Sequence, residues 1–275
     1  MSLELCILAS GSAGNAAILR SPAGVMLIDA GIGPRTLSER LDGTGLRLAD
    51  ISALCLTHLD GDHFTPRWSS TLRALNIPVY CHANKAGDLA LSCPDLLPLI
   101  RTFGAAAFSP IDGLTFDPVH FAHDRRGSHG FVVDGFRYRI GYATDLGRVP
   151  SYFFDRFRDL DCIALESNYD AQMQTDSPRP AFLKRRIMGG SGHLSNAQAL
   201  AAIRKILDRS RRLPDHIVLL HRSQECNCPH LVHTLFSGDS RIATRLTLAH
   251  QHERSAWLGR TSRPPIIGEQ LLLAL

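Results

Sequence analysis

Four side chains of metal-binding type stand within six residues in the run Thr57-His58-Leu59-Asp60-Gly61-Asp62-His63, directly after the apolar stretch 51–57. Imidazole and carboxylate are ligands of zinc, manganese and iron, and a helix would scatter them around its circumference. The chain must therefore leave a strand and turn at once, so that neighbouring side chains converge. Gly61 is expected to permit that tight turn. The competing reading is a plain polar loop in which Asp60-Gly61-Asp62 forms the turn.

The rest of the chain repeats the same arrangement of apolar strand followed by polar residue. Period-two or continuous apolar patterns predict strands over 3–9, 16–20, 24–29, 51–57, 78–81, 114–121, 130–133, 136–143, 161–166, 217–220 and 246–250, with Asp134-Gly135 as a hairpin turn. Helical patterns cover 34–41, 66–75 and 195–207. His123-Asp124 follows one strand, Asp145 another and His221 a third. Each alone fits ordinary loop chemistry, but with the cluster they supply ligands for two metal ions. An α/β chain with stacked strands inside, helices outside and chemistry at strand ends fits this layout. Nothing reads as a linker, so a single domain over 1–275 is expected.

Composition narrows the function classes. With 44% hydrophobic and 20% charged residues the chain can bury a substantial core, which excludes a disordered or fibrous protein. A net charge of +4 permits a polyanionic substrate without demanding one, and the groups Arg125-Arg126 and Lys184-Arg185-Arg186 read first as solvated surface. Aromatics are 7%, and no RRM, OB or helix-turn-helix signature is present. No apolar run is long enough to span a bilayer and the first residues lack a secretory pattern, so a cytoplasmic protein without membrane contact is expected. Cys6, Cys55, Cys81 and Cys162 lie in apolar runs and are expected reduced and buried. Cys226 and Cys228 are expected exposed near a strand end, and no second pair stands by to make a zinc ribbon.

The order Leu27-Ile28-Asp29-Ala30-Gly31, then the cluster, then His123, Asp145 and His221, resembles the metallo-β-lactamase fold hydrolases. Leu8-Ala9-Ser10-Gly11-Ser12-Ala13-Gly14-Asn15, Gly192-His193-Leu194-Ser195-Asn196 and Leu220-His221-Arg222-Ser223-Gln224-Glu225-Cys226-Asn227 are similar to its YycJ or WalJ branch, a relative of ribonuclease Z and the β-CASP nucleases. The resemblance implies a four-layer αβ/βα sandwich, two mixed β-sheets with helices outside. It also implies a metal-dependent phosphodiesterase or exonuclease acting on nucleic acid, DNA before RNA. One ion would take His58, Asp60 and His123, the other Asp62, His63 and His221, with Asp145 bridging. Two departures stand out: Asp60 occupies the position of the branch's second histidine, and Cys226 that of an asparagine.

The first departure changes the charge. Asp60, Asp62, Asp145 and a bridging hydroxide would cancel two divalent ions completely, where a neutral imidazole would leave one positive charge. Manganese or iron is then expected to compete better against zinc, since carboxylate oxygen favours harder ions. Aspartate is also shorter than histidine, which leaves open a single fully occupied site. By resemblance the bridging hydroxide attacks and Asp62 orients it, while His193 protonates the leaving oxygen. Alternatively His193 merely precedes a helix starting at Ser195 or Asn196. Asp29 is expected to hold the cluster loop through hydrogen bonds. Ser10, Ser12, Asn15, Ser223 and Asn227 are the substrate-binding candidates, with a plain hairpin connection as the alternative for the first three. His82 belongs to no constellation, and His129 reads as surface or supporting. The competing functions are a small-molecule hydrolase of a lactone, thioester or cyclic phosphate ester, and a metal-poor descendant that only binds a partner.

Overall fold

Strand residues whose two faces are both apolar need cover on both sides, and that requirement sets the layers. The computed structural model describes residues 2–260. The first sheet holds β1 (Glu4–Ala9), β2 (Ala16–Ser21), β3 (Gly24–Ile28), β4 (Ile51–Cys55), β5 (Val79–His82) and β6 (Ile100–Phe103), in that order across the sheet. β1 to β3 form an antiparallel meander; β3 to β6 are parallel. Cys6, Leu8, Leu27 and Leu54 face an outer layer with Leu37 and Leu41 of α1 (Pro34–Leu41), Leu72 of α2 (Ser69–Ala74) and Leu89 of α3 (Ala86–Ser92). Leu5, Ile7, Met26 and Ile28 face the opposite way, into the centre.

The second sheet has the order β13-β12-β11-β10-β9-β8-β7, built from β7 (Phe108–Ile111), β8 (Leu114–Phe121), β9 (Ser128–Gly135), β10 (Tyr138–Ala143), β11 (Cys162–Glu166), β12 (His216–Leu220) and β13 (Leu246–Leu248). β10 to β13 are parallel. Its inner face contributes Phe116, Phe131, Tyr138 and Val218 to the central core. Its outer face packs Ile163, Leu165 and Leu219 against α4 (Phe153–Arg156), α7 (Asn196–Arg209) and α8 (Pro229–Ser237) through Phe153, Ile203, Ile206 and Phe236. Two short helices, α5 (Ala171–Asp176) and α6 (Ala181–Met188), and the final α9 (Ser240–Ala243) complete the described chain. This is the four-layer αβ/βα sandwich of two mixed sheets. Among the described residues no helix is long and apolar enough to cross a membrane. The expected domain 1–275 includes Met1 and 261–275, which lie outside the described residues.

Several expectations need correction. The hairpin turn is Phe136-Arg137, at φ 54° and 60°, and Asp134-Gly135 belongs to β9. Gly135 is needed for closeness instead, since a Cβ there would lie 2.4 Å from the Gly113 carbonyl oxygen and 2.5 Å from Leu114. The helix expected over 66–75 is a 3₁₀ turn, Pro66–Trp68, followed by α2, because the Trp68 indole is buried and donates to the Ile32 carbonyl at 2.8 Å. Cys226 is fully buried, with only Cys228 partly open, because the chain after His221 folds inward. Cys6, Cys55, Cys81 and Cys162 are buried free thiols.

Candidate metal centre

The parallel strands of both sheets end at one edge of the sandwich, and the polar residues that follow them meet there. Three of these residues turn through left-handed backbone: Asp29 after β3 (φ 60°), Asp145 after β10 (φ 54°) and His221 after β12 (φ 53°). Asp and His are the residue types that tolerate this region best after glycine and asparagine. Gly61, by contrast, has ordinary φ and open space around it, so the tight turn does not need it. The loop closes through Asp60, whose carbonyl accepts from the backbone N–H of His63 and Phe64 at 2.8 and 2.9 Å. The glycine that matters is Gly31, where a Cβ would stand 1.8 Å from the Asp62 carbonyl oxygen. Its absence lets the Asp62 carbonyl accept from Asn15 N–H at 2.7 Å, while the His63 carbonyl accepts from Ala30 at 2.7 Å.

All seven expected ligands converge. One nitrogen or oxygen each from His58, His123 and Asp145 lie within 4.8 Å of one another, and so do those of Asp62, His63 and His221. Asp145 joins the two sets, with Oδ2 2.8 Å from His63 Nε2 and Oδ1 3.8 Å from His123 Nε2. Asp60 Oδ2 stands 3.7 Å from His58 Nε2 and 3.8 Å from His123 Nε2, so the shorter side chain still reaches the first set.

Each imidazole is anchored by its other nitrogen, which fixes the ring and aims the remaining nitrogen into the pocket. His63 Nδ1 donates to Asp29 Oδ2 at 2.7 Å, and His123 Nδ1 to the Gly192 carbonyl at 3.0 Å. His58 Nδ1 donates to Thr57 Oγ1 at 2.9 Å, while the Thr57 hydroxyl and backbone N–H donate to Asp29. Asp29 thus ties β3 to the cluster loop. His221 Nδ1 donates to Glu166 Oε1 at 3.0 Å, and His193 Nδ1 to the same oxygen at 2.8 Å.

Electrostatics show what the pocket suits. Burial works against a charged Asp145, yet His221 and His63 hold its carboxyl well below the usual range. Burial likewise opposes protonation of His123 and His221, but the neighbouring carboxylates raise them to about 9 and about 10. His58 goes the other way: burial and His63 depress it, and its Nε2 is buried with no hydrogen-bond partner among the described residues. A buried lone pair beside clustered carboxylates wants a cation. The donor set, mixed imidazole and carboxylate in two triads linked by the approach of Asp145 to His63, fits divalent ions of the zinc, manganese and iron class.

The expected substrate contacts separate into two groups. Ser12 and Ser223 line a cavity of about 490 Å³ that reaches His123 and His193. Ser10, Asn15 and Asn227 are buried in internal hydrogen bonds and do not line that cavity. Ser10 Oγ accepts from His221 N–H, Asn15 bonds Gly11 and the Asp62 carbonyl, and Asn227 links Asn168 to Asn196. His193 is paired with Glu166, and the helix start it precedes is capped by Ser195, which accepts from Gln198 N–H. His129 is buried, so it does not belong to open surface; it stacks on the half-exposed His82 at 4.3 Å, and burial and His82 push its pKa down to about 3.

A second cavity, about 650 Å³, is bounded by His58, Asp60 and His123, with Asp124 and Arg186 common to both. The residue that sequence reasoning missed is Glu166. It is fully buried, ends β11, and accepts from His193, His221 and the backbone N–H of Leu194 at 2.9 Å. His193 and His221 hold it ionised against the burial that opposes this. The available signal is a carboxylate closing the apolar run 161–166.

Residues 25–217 match the family model described as a beta-lactamase superfamily domain. A Bacillus anthracis protein named exodeoxyribonuclease YycJ is 27% identical over 236 residues, covering 84% of this chain and 86% of that protein. A diphosphatase of the PhnP family superposes with a TM-score of 0.67 at 16% identity, over 94% of this chain and 99% of that one. Zinc-bound PqqB from Methylobacterium extorquens gives 0.65 at 15% identity, over 92% and 99%.

Proposed function

Since the chain belongs to the beta-lactamase superfamily, we propose that it is a metal-dependent phosphodiesterase that removes nucleotides from DNA, as the name of its Bacillus anthracis relative states for that protein. The observation that carries this reading is the meeting of His58, Asp60, Asp62, His63, His123, Asp145 and His221, of which His58, Asp60 and His123 open onto one cavity and His123 also onto a second that shares Arg186 with it. His58, Asp60 and His123 would hold one divalent ion and Asp62, His63 and His221 another, with Asp145 between them. When bound, the ions supply Lewis acidity toward the phosphoryl oxygens and neutralise charge that builds during displacement at phosphorus.

The protein's own groups then do the positioning. Asp62 is one of the more open ligand carboxylates, and its oxygen can accept a hydrogen bond from the attacking water, aligning a lone pair toward phosphorus. Glu166 receives the Nδ1 proton of His193, so this imidazole presents Nε2 toward the cavity. Held in this orientation, His193 is placed to pass a proton to the departing 3′ or 5′ oxygen. Arg186 and Arg179 line the same cavity and favour an anionic strand over a neutral ester.

Incubation with manganese and labelled single-stranded DNA is expected to yield mononucleotides. Turnover of bis-p-nitrophenyl phosphate or a lactone with no DNA cleavage would move the function to small molecules. Because Asp60 adds a carboxylate, manganese or iron is expected to support a higher rate than zinc. Two tightly held zinc ions in protein purified without added metal would contradict that preference.

A further inference from the structure

The 650 Å³ cavity contains more positive charge than its own acids account for. Arg126 is paired with Asp88, and Arg186 makes a two-pronged contact with Asp124. Asp60 belongs to the proposed metal set. That leaves Lys85 and Arg125, and among the described residues neither makes an ion pair. Lys85 is 4% exposed, an unusual state for a lysine. Its ammonium carries three donors, and its one hydrogen bond among the described residues goes to the Gly127 carbonyl at 2.8 Å. A buried ammonium with donors to spare, in the wall of an open cavity, is prepared for an anion that enters from outside.

We propose that this cavity receives the terminal phosphomonoester of the strand being shortened, gripped by Lys85 from the floor and Arg125 from the rim. The proposal rests on the nucleic-acid reading above and adds to it how a chain end is told from an interior. A phosphomonoester bears between one and a half and two negative charges at neutral pH, roughly the charge of Lys85 and Arg125 together, whereas an internal diester bears one. The volume suits one nucleotide, within the range of about 300–1,000 Å³ typical of ligand sites. His58, Asp60 and His123 form one wall of the cavity, so a phosphate seated there holds the adjoining linkage near the metal set. The rest of the strand would leave past Ser12 and Arg179 through the other cavity.

Calorimetric titration of the metal-loaded protein with thymidine 5′-monophosphate, thymidine 3′-monophosphate and thymidine tests this directly. Anisotropy with oligonucleotides ending in 5′-phosphate, 3′-phosphate or hydroxyl extends it to strands. One phosphorylated end is expected to bind about tenfold more tightly than the hydroxyl form. Arg125→Gln, on an exposed loop where folding is not at stake, should shrink that advantage at least about threefold, and Lys85→Gln should abolish it. Equal affinity for all ends, or a phosphate advantage untouched by Arg125→Gln, would overturn the proposal, the latter by placing the phosphate on the metals. Mononucleotide binding needs no turnover. Failure to cleave DNA therefore counts against the activity, while cleavage indifferent to the end group counts against this cavity alone.

Discussion

The floor of the site and its mouth are built on opposite principles. On the floor His58, His63, His123 and His221 are almost wholly buried, and each has its second nitrogen committed to Thr57, Asp29, Gly192 or Glu166. At the mouth α6 has no buried residue at all, with Phe182 66% exposed and the Arg186 side chain 60% exposed. The floor holds each ring in one orientation, which the proposed chemistry at phosphorus requires. The mouth offers charge on adjustable side chains, which suits a ligand that must slide through.

The largest effect should come from the residue that joins both ligand sets. Asparagine tolerates the left-handed backbone of position 145 and keeps the shape of aspartate, so Asp145→Asn should fold. It removes the shared charge, and turnover of DNA should fall by about 10³-fold or more. Metal content by mass spectrometry should fall with it. Full metal content with unchanged rate would break the idea that the floor works as one unit.

Glu166→Gln sharpens the same point one step out. Both imidazoles donate to one Glu166 oxygen and the Leu194 N–H to the other, so the amide must set its NH2 group against either the two histidines or that backbone N–H. A loss of about 10- to 100-fold in rate or metal affinity is expected, the range for groups that orient a metal ligand. A positioning role predicts that thermal stability changes little while the acid limb of the rate profile moves to lower pH, because His221 loses one of the carboxylates that raise it and gives up its proton more easily. A merely structural glutamate would lower stability and leave the pH profile in place.

The two regions also differ in how far the sequence reveals them. That the seven proposed ligands meet was legible because they sit beside apolar runs at strand ends, where local pattern carries spatial meaning. Glu166 was not, because a carboxylate closing the strand run 161–166 has the same local appearance as a surface cap, and only packing shows it buried between two histidines. Ser10, Asn15 and Asn227 misled for the converse reason: small polar residues in loops look like ligand contacts, yet these three satisfy the backbone that holds the floor. Asp134-Gly135 carried the usual hairpin signal, but the close Gly113 carbonyl claimed that glycine. The strand patterns called only for strands inside and helices outside; the αβ/βα layering was what the resemblance implied, and the strand order across each sheet came from the structure alone. The strands β6 and β7 and the helices α3, α4, α5, α6, α8 and α9 lack a period strong enough to predict them.

Arg186 gives the smallest expected effect and the finest test of the division. Its exposed pair with Asp124 contributes only about 0–1 kcal/mol, so Arg186→Ala should leave the melting temperature almost unchanged. Removing the guanidinium also strips Asp124 of its partner beside both cavities, and the freed carboxylate repels an incoming strand. Both changes act on the ground state and the transition state alike, so KM for DNA should rise about three- to tenfold with kcat nearly constant. One phosphate contact fewer should also flatten the dependence of affinity on salt by about one unit of log–log slope. If kcat falls instead while KM and the salt slope hold, Arg186 acts on the reacting phosphate itself, and the boundary between a rigid floor and an adaptable mouth must be moved outward to include α6.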